Sequence, residues 1–312
     1  MRTLSAIRRD VDVVVGDERP RTFSNYRLLI CDLGPRLPSP QPLLAQLRPD
    51  AHAVLIVPRL DVAVVARHLQ DERVNHLLSQ PSDAEDLLSV VDKLSTGSIF
   101  GMERYLPFQA NIHYQRLASY PGRCKAIEEL EAHLQKRRVR STLRRSAVQI
   151  AEELLMNAMY QAPMENGHRL FADVEPRARL RRKTPRPVSL RYVAADKRIH
   201  LSVRDRFGSF RRADLASYLQ RCTTSQVQIE EKKLGAGLGL YLIASTASRI
   251  IINVLPGSVT EFITVVEPPS ANSTIRLFSF TAQRPLSMSE GTGEITTPML
   301  DDEPHGELAA GL

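Results

Sequence analysis

The sequence predicts an α/β protein built from two successive α/β parts. Three observations support this. The chain has 312 residues and is 43% hydrophobic, enough for about two globular domains with their own cores. Up to residue 94, short apolar runs alternate with helical segments. Beyond residue 140, a long amphipathic helix precedes two runs that alternate apolar and polar residues. We expect domains at 1–94 and 111–281, a linker at 95–110 and a disordered tail at 282–312.

The first part reads as parallel strands separated by helices. The strands are continuous apolar runs, as buried parallel strands tend to be, and they lie at 11–15, 27–31, 53–57 and 74–78. Helices are predicted at 42–47, 62–70 and 83–94. Ser82 or Asp83 provides the N-cap of the last of these.

Asp32 follows the second strand, and Gln80-Pro81 follows the fourth. In this arrangement residues 11–94 resemble a receiver domain of two-component signalling, in which an aspartate at that position accepts a phosphoryl group. The chain departs from the family at Gln80, where receivers carry lysine, and Asp17-Glu18 is the one candidate for the acidic pair that holds magnesium. The resemblance therefore implies a degenerate receiver-like interaction domain, with Asp32 a doubtful phosphoacceptor. An unrelated small α/β domain is the alternative.

The second part opens with a predicted strand at 112–118 and a charged helix at 122–138. A longer helix is predicted from Ser141 to Ala162, where apolar residues recur at helical spacing. Glu153 and Asn157 are four residues apart and so share one face of this helix. Such a pair could hold a metal–phosphate cluster or could simply belong to a solvent-facing stripe.

Two further motifs follow in order. Runs at 188–194 and 198–204 form a predicted hairpin that ends in Asp205-x-x-Gly208. The stretch 235–239 then alternates three glycines with apolar or small residues before an apolar run, the pattern of a turn that presents backbone N–H groups to a phosphate at a helix start. Alone, this stretch is equally well an ordinary turn before a buried helix.

The three motifs together resemble the GHKL superfamily, which includes the ATPase domains of histidine kinases, anti-sigma-factor serine kinases, type II topoisomerases and mismatch-repair proteins. The resemblance covers about residues 110–280 and implies a two-layer α/β sandwich that binds ATP and Mg²⁺. It implies that Glu153 orients or activates the attacking group, that Asn157 coordinates magnesium and that Asp205 accepts a hydrogen bond from the adenine amino group. Gly208 would let the base approach the chain. The remaining implied nucleotide contacts are Gly235, Gly237, Gly239, Leu240 and Thr260.

Residues 211–234 would form a mobile lid over the nucleotide, with Arg221, Lys232 and Lys233 either near the γ-phosphate or on the surface. Strands at 250–255, 261–266 and 274–280 would complete the sheet.

Composition restricts the other classes of function. No apolar run is long enough to span a membrane, and the N-terminus lacks the apolar centre of a secretion signal. Three scattered cysteines suggest neither a disulfide framework nor a metal site, which favours the cytoplasm. The net charge of +7 is concentrated near 136–145 and 177–186. These runs lack interleaved aromatics, so nucleic-acid binding is the weaker reading and a solvated surface the stronger one.

We therefore expect a signalling protein that binds Mg-ATP and acts on a partner protein, in the manner of a serine/threonine kinase. His113 and His133 lack the context of a histidine phosphoacceptor. The alternative is a non-catalytic ATP-dependent switch, and a homodimer is left open.

Overall fold

The fold is described from a computed structural model, which covers residues 26–35, 37–107, 109–223, 238–268 and 275–283. The strand predicted at 11–15, the pair Asp17-Glu18 and the tail from residue 284 lie outside the described residues. Within these ranges, no helix combines the length and the apolar character that a membrane span requires.

The observed elements follow the predicted order closely. The strands are β1 Leu28–Asp32, β2 His52–Val57, β3 Val74–Ser79, β4 His113–Leu117, β5 Met164–Glu165, β6 His168–Arg169, β7 Val188–Ala195, β8 Arg198–Asp205, β9 Arg249–Leu255, β10 Val259–Val266 and β11 Leu277–Ala282. The helices are α1 Gln41–Leu44, α2 Val62–His68, α3 Ala84–Thr96, α4 Tyr120–Lys136, α5 Ser141–Met156, α6 Pro176–Arg179, α7 Arg212–Thr223 and α8 Leu238–Thr246. A 3₁₀ turn spans Met102–Tyr105, and a π-helical segment spans Asn157–Gln161.

Nine of the strands form one mixed sheet in the order β1-β2-β3-β11-β9-β10-β8-β7-β4. The strands β1, β2 and β3 are parallel, whereas the series β9, β10, β8, β7 and β4 is antiparallel from each strand to the next. The last strand, β11, joins the two groups, because it pairs antiparallel with β3 and parallel with β9. The α/β class is confirmed, while the division into domains at 94 and 111 stays a prediction.

Helices cover both faces of this sheet. Alternation along β9 illustrates the two faces, since Ile250 and Ile252 belong to one apolar cluster and Ile251 to the other. The first cluster contains residues of α2, α4, α5, α7 and α8, and the second contains Val90 of α3 and Met102 of the 3₁₀ turn. The predicted nucleotide residues belong to the elements of the first face.

Local chemistry accounts for several element boundaries. Asp83 is the N-cap of α3, because its carboxylate accepts from the Glu85 N–H at 3.1 Å. The hairpin between β7 and β8 turns at Asp196 and Lys197, which both have positive φ. The helix predicted to run to Ala162 changes form at Asn157, whose carbonyl accepts from the Ala162 N–H five residues on at 2.8 Å.

A buried polar network joins α3 to the second face of the sheet. The Lys93 ammonium, which has no exposed surface, donates to Asn253 Oδ1 at 2.5 Å and to Ser279 Oγ at 3.1 Å. Asn253 in turn donates to Glu261 at 3.2 Å, and Glu261 also accepts from Ser202 Oγ at 3.1 Å. We refer to Lys93, Asn253, Ser279 and Glu261 as the α3 network.

Candidate functional site

The acidic member of the predicted helix pair lies against the start of α8. Glu153 is half-buried near the end of α5, and a Cβ built on Gly239 would overlap its carboxylate. Only a glycine lets the two helices approach this closely. Burial, aided by the neighbouring charge of Glu152, raises the pKa of the Glu153 carboxyl, while Arg123 acts in the opposite direction. A carboxyl with a raised pKa is a better proton acceptor in catalysis at neutral pH.

Asn157 is half-buried at the point where α5 becomes π-helical. Its side-chain amide makes no hydrogen bond to another described residue. A π-helical turn is often found at functional sites, and an amide without a protein partner is free to meet a ligand.

The end of β8 holds a buried carboxylate. Asp205 Oδ1 accepts from the Phe207 N–H at 2.8 Å and from the Gly208 N–H at 3.3 Å. Burial raises the pKa of Asp205 to about 6, although these hydrogen bonds and Thr260 counteract it. No hydrogen bond of full geometry reaches the second oxygen, Oδ2, from a described residue, although the Thr260 N–H and hydroxyl are close enough to the carboxylate to lower its pKa.

Thr260 lies directly opposite Asp205 in the register of β10 and β8. Its hydroxyl is close enough to lower the pKa of Asp205, but the geometry is not that of a full hydrogen bond, and Thr260 Oγ1 is buried without a partner among the described residues. Buried hydroxyls are normally paired. A carboxylate oxygen and a hydroxyl side by side can bind a group that both donates and accepts.

The structure requires glycine at residue 208, independently of any ligand. Its φ is +58°, and a Cβ there would overlap the Leu255 carbonyl oxygen and lie 2.6 Å from the Ser258 nitrogen. The turn between β9 and β10 therefore packs directly on the backbone after Asp205. The next residue, Ser209, donates from its hydroxyl to the Ala162 carbonyl at 2.8 Å, which ties this loop to the π-helical segment.

Some of the other residues that were predicted to contact the nucleotide lie outside the described residues. Gly235 and Gly237 lie outside the described residues, as do residues 224–234 of the predicted lid. Leu240 is half-buried and packs with Leu215 and Ile243 between α7, α8 and the sheet. The first residues of the predicted lid form α7.

Two observations on the described residues are compatible with Mg-ATP. Thr260 Oγ1 is a buried polar atom without a partner among the described residues, and the Asn157 amide is unengaged by other described residues. The described residues contain no group of three or more His, Cys, Asp or Glu side chains that could hold a metal by themselves. A magnesium ion would therefore depend on Asn157 together with phosphate oxygens.

Two residues near Glu153 were missed in the sequence. The Arg123 guanidinium lies over the Tyr120 ring, 4.8 Å from its centre. The Tyr160 hydroxyl is buried without a partner among the described residues, and so is Arg123 Nε. The signal was present, because Arg123 is four, seven and eleven residues before the buried Ile127, Leu130 and Leu134 and so lies on the core-facing stripe of α4.

The receiver-like residues also come together. Gln80 Nε2 donates to Asp32 and, at 3.1 Å, to the Leu33 carbonyl. A neutral amide thus occupies the place where the resemblance implies a lysine. Phosphorylation of Asp32 stays a prediction.

The two histidines of the second part pack on each other. The ring centres of His113 and His133 are 4.0 Å apart, and His113 stacks on Tyr192 at 5.1 Å. Burial lowers the pKa of His133, and His113 lowers it further.

No protein-family model matches the sequence, and no curated protein matches it. Among solved structures, a chain of the SiaB–SiaC complex from Pseudomonas aeruginosa is similar to 57% of this chain and 99% of its own length. The sequence identity is 13% and the TM-score is 0.36.

Proposed function

We propose that the site between α5, β8, β10 and α8 binds Mg-ATP and transfers its terminal phosphate to a serine or threonine hydroxyl of a partner protein. The observation that carries the proposal is the buried pair of Asp205 and Thr260, which offers a carboxylate oxygen and a hydroxyl that no described residue engages in a full hydrogen bond. Adenine presents an amino donor beside a ring acceptor on one edge, and this pair complements that edge.

Each residue has a role that follows from its position. Asn157 would hold the magnesium ion, which supplies charge neutralisation on the phosphates when bound. Glu153 would take the proton from the partner's hydroxyl. The hydroxyl oxygen forms the new bond to the γ-phosphorus, the bond from that phosphorus to the β–γ bridging oxygen breaks, and ADP leaves.

A second function, an ATP-dependent switch without transfer, is favoured by one specific contact. Arg212, the first residue of α7, donates to the carbonyl oxygens of Leu69, Asp71 and Val74 at 2.6–3.0 Å. The helix that begins the predicted lid is thus fixed to the receiver-like part. Movement of the lid on nucleotide binding could be transmitted through this contact to a protein-binding surface.

Single-turnover labelling separates the two functions. The parent protein with γ-labelled Mg-ATP and a cell lysate is expected to give an acid-stable label on a partner, whereas Glu153→Gln binds ATP but gives none. Glu128→Gln removes an exposed carboxylate of α4, serves as the control and should label as the parent does. Tight ATP binding with neither transfer nor hydrolysis in the parent would exclude the kinase and leave the switch.

A further inference from the structure

We propose that Arg123 of α4 is a ligand of the terminal phosphate of ATP, an inference that rests on the proposed nucleotide site. The group lies outside the three sequence motifs that define that site. It would supply the cation that the described part of the site otherwise lacks.

The position of Arg123 is the first argument. Its side chain is half-buried on the core-facing stripe of α4, a helix that packs on α5. The Tyr120 ring supports the guanidinium from one side at 4.8 Å. Stacking of this kind restricts the guanidinium to one orientation and so reduces the entropy lost on binding.

The lack of a protein partner is the second argument. The Arg123 side chain makes no hydrogen bond and no ion pair of contact distance with another described residue, and its Nε is buried. The buried Tyr160 hydroxyl, also without a partner among the described residues, lies within electrostatic range of the same guanidinium. Two buried donors that converge without an acceptor indicate that an anion completes the arrangement.

The third argument is the proximity to the reacting end of the site. Arg123 lies within electrostatic range of Glu153, whose carboxylate touches the Gly239 turn. If adenine lies at Asp205 and phosphates follow Asn157 toward α8, the outermost phosphate is the one nearest to Glu153. An arginine binds a phosphate with two parallel N–H groups, which gives both charge and direction.

The test compares affinities for Mg-ATP and Mg-ADP, which differ by the terminal phosphate. In Arg123→Gln we expect the Mg-ATP affinity to fall at least about tenfold while the Mg-ADP affinity stays within about twofold of the parent. Lys125→Gln removes an exposed cation two residues away, whose partner Glu129 is 3.7 Å distant, and should behave as the parent does.

The outcomes separate this inference from the proposed function. A parent protein that binds neither nucleotide would overturn both. Binding of both nucleotides that Arg123→Gln leaves unchanged, or weakens equally, would overturn the role of Arg123 alone. Should Arg123→Gln fail to fold, Arg123→Lys gives the same readout, and its preference for ATP over ADP should fall at least about threefold because an ammonium cannot make the forked contact.

Discussion

Asp205 is the residue on which the proposed nucleotide site depends, because it is both buried and incompletely paired. Two backbone N–H groups hold one carboxylate oxygen, and Thr260, whose hydroxyl has no partner among the described residues, lies opposite Asp205 in the sheet. Burying a carboxylate costs free energy unless something compensates it. The compensation here is partial, which is why the pKa of Asp205 is raised to about 6.

The raised pKa predicts a pH dependence of nucleotide binding. Above about pH 6 the carboxylate is ionised and would accept from the adenine amino group of the proposed nucleotide, and below it the proton would remove that acceptor. The dissociation constant for ADP should therefore rise up to about tenfold per pH unit below pH 6. The control is Asp205→Asn, because the nucleotide phosphates still titrate with this variant but residue 205 does not. An equally steep rise in this variant would contradict the assignment.

We expect a side chain at residue 208 to destabilise the fold by steric overlap as well as by backbone strain. Gly97, which also has a positive φ, serves as the control for strain alone. Gly97 has a φ of +70° with nothing within 4 Å of an added Cβ, whereas at Gly208 the Cβ meets the turn between β9 and β10. Gly97→Ala should cost about 1 kcal/mol of unfolding free energy, from strain alone. Gly208→Ala should cost at least about 2 kcal/mol more, measured by urea denaturation. Equal losses would mean that the close approach is unimportant.

At the scale of elements, the packing of α3 on the second face depends on the α3 network. Burial lowers the pKa of Lys93 from 10.5 to about 7, because the ammonium is removed from water. The nearby Arg104 also lowers this pKa, and Glu261 raises it. The network therefore contains one group that titrates near neutral pH inside the core.

The lowered pKa of Lys93 predicts that the free energy of unfolding increases with pH. Between about pH 7 and 10.5 the unfolded chain holds a proton on Lys93 that the folded protein has released, so the free energy of unfolding rises with pH. The slope from this residue is at most about 1.4 kcal/mol per pH unit. The contribution of Lys93 is the difference in unfolding free energy between the parent and Lys93→Met, measured by urea denaturation at several pH values across this range. A difference that does not vary with pH would contradict the buried ammonium.

At the scale of the whole molecule, one sheet runs through both predicted domains. The strand β11 lies between β3 and β9 and pairs with both. Arg212 adds a second connection, because it links α7 to the loop before β3. The two parts should therefore unfold together.

Calorimetry tests this coupling. We expect a single transition, and Arg212→Ala should lower the unfolding free energy by about 2–4 kcal/mol, because three backbone carbonyls lose their donor. The adjacent Arg211 is exposed and pairs only with Asp214, at 2.8 Å, among the described residues, so Arg211→Ala should change little. Two separate transitions in the parent, with Arg212→Ala affecting just one of them, would indicate independent domains.

The local sequence pattern was sufficient to predict most helices and strands, but it was insufficient to predict how they assemble. The strands at β7 and β8 and the cap at Asp83 follow from alternation and hydrogen-bonding chemistry, which are local. The position of β11 depends on pairing with a strand about 200 residues away, which periodicity does not encode. The change to a π-helix at Asn157 depends on tertiary packing. The family resemblance assigned Glu153 and Gly239 to one site without predicting their contact, and Arg123 was identified only from the packing of α4 on α5.

The central claim is that Asp205 and its neighbours form an adenine-specific nucleotide site. Its most direct test is calorimetric titration with Mg-ATP and Mg-GTP, because guanine presents a carbonyl oxygen where adenine presents an amino group. The parent should bind Mg-ATP at one site and Mg-GTP at least about 100-fold more weakly. Asp205→Asn should lose most of that preference, while the exposed Asp173→Asn keeps it. Absence of Mg-ATP binding, or an unchanged preference in Asp205→Asn, would contradict the account.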